Sequence, residues 1–243
     1  MRTVVRFVLL GLVLTVTGLV VPDSSRASTQ VALVEVDHAE AVALPGGTVW
    51  ILAVGSDMRP GEEMTRTRGD ALQLVGIDSS TGAATAIGIP RDSYVPIPGI
   101  GTDRINSAMV YGGPQLLAEA VGDLVGIEPD YVMVTRFPFF EDMIDDIGGI
   151  EVANPRFFSD YDLKREGFRA GRIRLGGYDA MAFSRIRKTL PGGDFDRSAN
   201  QQLVLRGIRA RIAERAQEPG FIAAGVLKVM RHMDISGVGP AEL

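Results

Sequence analysis

The chain has 243 residues, 25 Lys and Arg against 30 Asp and Glu, a formal charge of −5 and no cysteine. That length carries one ordinary domain with a buried core, 46% hydrophobic and 23% charged residues exclude a disordered chain, and the lack of cysteine excludes disulfide scaffolds, Cys-ligated zinc and thiol catalysis. The acidic balance argues against nucleic acid as a partner, and two histidines, His38 and His232, leave little material for a His-ligated metal or a Ser-His-Asp triad. Taken in chain order, the first feature is Arg2 and Arg6 followed by an uncharged, mostly apolar run from Phe7 to Val21. With Ser25-Arg26-Ala27 as a small-x-small exit, residues 1–27 read as a signal peptide or membrane anchor. As a helix the run is about 22 Å long, short of the roughly 30 Å hydrocarbon core, so cleavage after Ala27 and retention as an anchor both stay open. Either way, the rest of the chain is expected to work outside the cytoplasmic membrane.

Residues 28–46 form a lead-in segment whose Val31 and Leu33 alternate too weakly to define a strand. From 47 to 243 one mixed α/β domain is expected, because short apolar runs alternate with helix-like stretches. Thr48 to Val54 is a strand ending at Gly55. Ala71 to Ile77 and Ala84 to Ile89 are two more, joined by Asp78-Ser79-Ser80-Thr81-Gly82, whose turn chemistry predicts an antiparallel hairpin. Pro114 opens a helix that carries Leu117, Ala120, Val121 and Leu124 to Gly126. A short strand covers Tyr131 to Val134, and the next helix has Phe140, Met143, Ile144 and Ile147 on one face, stopped by Gly148-Gly149. A last helix runs from about Ser198 to Ala216, and its Arg206, Arg209, Arg211 and Arg215 read as a solvated surface. Trp50, Phe137, Phe139 and Phe140 read as core.

The unusual polar residues gather where strands end. They are Gly55-Ser56-Asp57-Met58-Arg59, Arg66-Thr67-Arg68-Gly69-Asp70, Pro90-Arg91-Asp92-Ser93, and the set Ser184-Arg185-Ile186-Arg187, Gly192-Gly193-Asp194-Phe195-Asp196-Arg197 and Asn200-Gln201-Gln202. If the first strand neighbours the hairpin, Asp57, Arg68, Asp70, Arg91 and Asp92 meet at one end of a sheet, a common place for ligand sites. Arg beside Asp has two readings. The pairs are rim salt bridges of small worth, or the carboxylates hold a hard divalent cation while guanidinium forks hold a pyrophosphate. Spacing by itself favours ion pairs, which are common. Only three basic residues are lysine (Lys164, Lys188 and Lys228), so the positive charge is nearly all arginine, from codon bias or from a need to grip phosphate.

In this order and spacing the motifs resemble the LytR-CpsA-Psr family of bacterial cell-envelope proteins, from about Ile51 to Ile212. The resemblance rests on these polar segments and on Ile97-Pro98-Gly99, Arg104-Ile105-Asn106-Ser107-Ala108, Tyr111-Gly112-Gly113-Pro114 and Asp145-Asp146-Ile147-Gly148-Gly149-Ile150. It implies a three-layer α-β-α domain with a central mixed sheet, tethered outside the membrane. It implies a phosphotransferase that moves a glycopolymer, such as a teichoic acid, from a polyprenyl-pyrophosphate carrier to a peptidoglycan hydroxyl, assisted by Mg2+. By resemblance Asp57 and Asp70 hold the metal, and Arg59, Arg68, Arg91, Arg185, Arg187, Arg197 and Gln201 contact the pyrophosphate, with Gln202 a weaker candidate. Arg91 and Arg68 share the catalytic role with Asp92, which orients Arg91 or acts as a base. The lipid tail is expected in an apolar groove between helices 117–124 and 140–147. The chain departs from the family pattern at Gly69 (commonly Ser), where only a loop shift is expected, and at Asn200 (commonly Arg). It also ends at Leu243, where relatives continue through another helix and strand, so the domain reads as short or truncated. A non-catalytic module that binds polyprenyl phosphates is the alternative function.

Overall fold

The computed structural model describes residues 30–37, 47–56, 58–59, 61–78, 81, 83–221, 224–225 and 233–236. The export segment, Asp57, His38 and His232 lie outside the described residues. No described helix is long and apolar enough to cross a membrane.

The first described strands are β1 (Val31–Glu35), β2 (Thr48–Ser56), β3 (Gly69–Asp78) and β4 (Ala84–Ile89). A small ribbon, β5 (Tyr94–Ile97) and β6 (Gly101–Arg104), precedes helix α1 (Ala108–Val125), strand β7 (Tyr131–Arg136) and helix α2 (Phe137–Asp146). Strands β8 (Ile150–Asn154), β9 (Phe158–Asp160), β10 (Lys164–Phe168) and β11 (Gly171–Leu175) lead to helices α3 (Gly177–Arg185) and α4 (Asp194–Arg215). The last strand is β12 (Met233–Ser236).

Six strands form one mixed sheet in the order β12-β1-β7-β2-β3-β4. β2 runs parallel to β7 and antiparallel to β3, and β3 pairs antiparallel with β4, as the Asp78–Gly82 turn predicts. β1 sits between β7 and β12, so the lead-in contributes an interior strand. Its five residues carry too little alternation to show this in sequence. Only the backbone partners on both sides fix it, which is how β-propensity generally yields to context.

Alternation sorts the sheet into two faces. Trp50, Leu52, Val54, Leu72, Leu74, Val132 and Val134 point one way and pack with Leu117, Ala120 and Val121 of α1 in a first core. Trp50 lies over Gly76, where a Cβ would sit 2.7 Å from the indole. The opposite face carries Gln73, Gly88 and Gly55. It is met by Gln202 of α4, whose amide lies 3.2 Å from a Cβ built at Gly88, and by Phe137 of α2. Helices thus cover both faces, and the architecture is the expected three-layer α/β fold with a central mixed sheet. A second core joins α2, α3, α4 and the β8–β11 ribbons through Ile144, Ile150, Phe158, Phe168, Phe183 and Val204. Its three phenylalanines pack with ring centroids 5.1 to 5.3 Å apart.

This arrangement corrects three expectations. α1 starts at Ala108, before Pro114. The helix is interrupted at Gly113, whose φ of 74° suits glycine, and Pro114 restarts it. The helices expected to wall a common lipid groove bury their apolar faces in different cores, Leu117 and Val121 in the first, Ile144 and Ile147 in the second. Arg211 and Arg215 are not surface filler. Arg211 Nε donates to the Ile147 carbonyl at 2.8 Å, Arg215 Nη1 to Asp146 at 3.0 Å, and Arg174 Nη2 to Gly148 at 2.6 Å. Three guanidiniums therefore cap the carboxyl end of α2, where unpaired carbonyls and the helix dipole favour cations.

Candidate active site

An antiparallel hairpin returns to the end where it started, so the beginning of β3 lies beside the end of β4. That geometry brings Asp70 next to Arg91. Pairing of β2 with β3 jumps from Gly55–Ala71 to Ser56–Gly69, which leaves Asp70 as the extra residue of a β-bulge. Bulges re-aim side chains, and here the re-aimed side chain is the carboxylate. Gly69 belongs to the strand: a Cβ there would stand 2.8 Å from Val54 Cγ1 and 3.0 Å from Leu72, so the departure at this position affects packing under the bulge and not a loop. Asn106 supports the same corner, donating its side-chain amide to the Gly69 carbonyl at 3.4 Å and its backbone N–H to the Arg91 carbonyl at 3.3 Å.

Arg91 Nη1 pairs with Asp70 Oδ1, and Arg185 Nη2 faces Asp70 Oδ2 at 3.4 Å. Arg185 is the last residue of α3 and lies 4.4 Å above the Phe137 ring, which fixes its plane. Asp92 accepts from Arg187 Nη1 at 3.0 Å and also faces Arg91 Nε and Arg104 Nη1, each at 3.7 Å. Arg187 reaches on to Asp194 at 3.6 Å, and Asp194, the first residue of α4, pairs with Arg197 at 2.6 Å. Five guanidiniums and three carboxylates from five separate segments thus form one network at the end of the sheet. Arg197 is only 4% exposed. Burial holds its pKa below the usual arginine value, with the nearby Asp194 charge working against that shift and Arg91 and Arg187 adding to it. Arg197 is thus a buried guanidinium with one carboxylate partner, Asp194, and two like charges nearby.

The amide residues of α4 fasten the network to the sheet. Gln201 accepts from Gln73 Nε2 at 2.9 Å and donates to the Ser184 carbonyl at 3.2 Å, while Gln202 Nε2 donates to Gln73 Oε1 at 2.5 Å. Both ends of the buried Gln201 amide are therefore engaged within the protein. Asn200, 5% exposed, turns toward the Phe183 carbonyl at 3.5 Å and lines a cavity of about 430 Å³ with Pro155, Leu190 and Leu203.

Of the residues singled out in the sequence, the structure brings together Asp70, Arg91, Asp92, Arg185, Arg187 and Arg197. Arg59 and Arg68 are exposed and, among the described residues, make no ion pair with this network. The charge of Arg68 reaches Asp103, whose pKa is held below the usual carboxylate value chiefly by the Tyr111 hydroxyl, 2.8 Å away. Arg104, Asp194 and Gln73 belong to the site and have no role assigned from sequence. Arg104 and Asp194 lie within the family motifs, and their acid–base partners were the missing signal. Gln73 carried one, a polar residue in the middle of an apolar strand.

Among the described residues no group of three or more His, Asp or Glu could hold a metal. Asp70 offers a single carboxylate whose two oxygens already face Arg91 and Arg185. A carboxylate has lone pairs for further partners, and magnesium commonly takes one or two carboxylates and fills its remaining positions with phosphate oxygens and water. The donor set fits a cation that arrives with a phosphate ligand better than one held by the protein alone.

The fold is a mixed α/β domain with an arginine–aspartate network at one end of its central sheet. The LytR_cpsA_psr family model matches residues 19–224, and the chain belongs to that family. It is 36% identical over 159 residues to the polyisoprenyl-teichoic acid--peptidoglycan teichoic acid transferase TagU of Bacillus subtilis (strain 168), covering 65% of this chain and 50% of that protein. TagU of Bacillus anthracis (strain CDC 684 / NRRL 3495) is 32% identical over 176 residues, 71% of this chain and 55% of its own. The chain spans about half the length of the curated relatives it matches. A LytR-Csp2A-Psr enzyme from Actinomyces oris superposes with a TM-score of 0.69 at 25% identity, covering 86% of this chain and 76% of that one. TagT bound to LI-WTA superposes with a TM-score of 0.58 at 27% identity, covering 81% and 82%.

Proposed function

We propose that this domain is a phosphotransferase that attaches a glycopolymer to peptidoglycan, taking it from a polyprenyl-pyrophosphate carrier outside the cytoplasmic membrane. The observation that carries the reading is the network of five guanidiniums against three carboxylates, with Arg197 buried inside it. The names of the relatives and of TagT bound to LI-WTA support the substrate class.

In this reading the pyrophosphate lies among Arg91, Arg185, Arg187 and Arg197, whose forks match phosphate oxygens. Each fork is set beforehand by a carboxylate: Asp70 holds Arg91 and Arg185, Asp92 holds Arg187, and Asp194 holds Arg197 and Arg187. Fixed donors of this kind stabilise charge as it develops and need no reorganisation during the reaction. The acceptor hydroxyl oxygen forms a bond to the phosphorus that carries the polymer. The bond from that phosphorus to the bridging oxygen breaks, polyprenyl phosphate leaves with the electron pair, and the hydroxyl proton passes to water or a nearby base. A magnesium ion bound with the donor would be held by Asp70, with Asp57 as its expected companion, and would supply further charge neutralisation. Asp92 faces three guanidiniums, which fits an orienting anion better than a proton acceptor.

Arg91→Ala and Asp70→Ala should each abolish transfer of lipid-linked polymer to peptidoglycan in a purified assay. Full activity in both would overturn the assignment. A module that binds the lipid without transferring it is the second reading, favoured by the uncharged Asn200. Lipid co-purifying with the protein and no transfer in the presence of magnesium would establish it.

A further inference from the structure

Two aromatic rings stand in water at the rim of the arginine network. Phe195 is next to Asp194 in the first turn of α4 and is 76% exposed, and Tyr94 lies two residues beyond Asp92 at the start of β5 and is 71% exposed. Asp194 and Asp92 share Arg187, at 3.6 and 3.0 Å, so both aromatic residues are close chain neighbours of one ion network. Tyr94 stands opposite Arg104 in the β5–β6 register, and Ile100, at the turn of that ribbon, is 51% exposed. Large apolar side chains normally leave water on folding, and those that stay out in a group mark an interaction surface.

Chemistry selects the partner. The network holds five guanidiniums against three carboxylates on a chain whose net charge is −5, so it is locally more basic than the chain as a whole. Exposed Tyr, Phe and Ile next to arginines match the composition of surfaces that sit at the headgroup level of a bilayer, where rings take the apolar side and cations meet anionic lipid. While its lipid is still in the bilayer, the charged end of a lipid-borne pyrophosphate lies at that same depth.

We propose that the rim formed by Tyr94, Ile100, Arg104 and Phe195 docks on the bilayer surface and holds the arginine network at headgroup depth. The proposal rests on the reading of the network as a site for a lipid-borne pyrophosphate, yet its test needs neither donor nor acceptor. Loss of docking and loss of transfer are therefore read separately.

The chain contains no cysteine, so single-site labelling is direct. The full chain carrying Tyr94→Cys or Phe195→Cys is labelled with an environment-sensitive nitrobenzoxadiazole dye and mixed with phosphatidylcholine vesicles containing phosphatidylglycerol. Tyr161→Cys is the control, since Tyr161 is 73% exposed but lies on the β9–β10 turn. Labels at 94 and 195 should shift to the blue and brighten about twofold or more, weakening as salt is raised, while the label at 161 stays water-like. Water-like emission at both rim positions would overturn the proposal, as would an equal response at 161. A response at 94 and 195 to a soluble oligosaccharide with none to vesicles would also overturn it and make the rim a sugar platform.

Discussion

At the scale of single residues, the site works by pairing each guanidinium with a carboxylate that sets its direction. Asp92 shows what this means. It touches Arg187 at 3.0 Å and lies within 3.7 Å of Arg91 and Arg104, so removing its charge frees three forks without removing a proton acceptor. Asp92→Asn should therefore slow transfer by about 10- to 100-fold and leave the shape of the pH–rate profile unchanged. Loss of the lower limb of that profile would assign the base role to Asp92 instead. Asp194 has the same logic in a drier setting, because its partner Arg197 is 4% exposed and a buried charge without its partner is costly.

At the scale of elements, the position of α3 decides where Arg185 sits. α3 starts at Gly177, pressed against α2 so closely that a Cβ would run into the Glu141 carbonyl. Gly177→Ala should cost about 1–3 kcal/mol in urea denaturation and weaken pyrophosphate binding, because the helix that moves carries Arg185. A stability loss with unchanged binding would show that α3 and the site are uncoupled. Glu141 itself titrates abnormally. Burial first, then the charges of Asp142 and Asp145, push its pKa above the usual carboxylate value. The folded state then holds the proton more tightly than the unfolded chain. This contribution favours folding below the unfolded pKa and is lost as pH rises through the folded one. Glu141→Gln should thus raise Tm at neutral pH and leave it nearly unchanged well below the carboxylate range.

For the whole molecule, two cores must be held in register for the network to close. The first joins the sheet to α1, the second joins α2, α3 and α4 to the β8–β11 ribbons, and Gln73 bridges them. It is 4% exposed, donates to Gln201 and accepts from Gln202. Gln73→Leu would leave buried amide groups of α4 without partners. The expected loss is about 1–3 kcal/mol, a fall of several degrees in Tm for a chain of this size, with weaker pyrophosphate binding as α4 loosens. A fully stable variant would place the coupling between the cores elsewhere.

Much of the molecule is legible in the sequence. Strands 48–54, 71–77, 84–89 and 131–134 and the helices around Ile144 and Val204 follow from periodicity and turn residues, because one-sided burial imposes a period on sequence. The elements that escape it are short or hold a weak pattern: β1 in the lead-in, the β5–β6 ribbon, β8 to β11 and α3. Their stability comes from neighbours, and a single sequence does not print its neighbours. The same division holds for the arginines. Composition shows that positive charge is nearly all guanidinium, and motif order points to phosphate. Tertiary structure alone separates Arg211 and Arg215, which cap α2, from Arg91, Arg185, Arg187 and Arg197, which converge with three aspartates. Residue type fixes what a side chain can bind. Which partner it meets depends on contacts between residues as far apart in the chain as Asp70 and Arg185, and those exist only once the chain has folded.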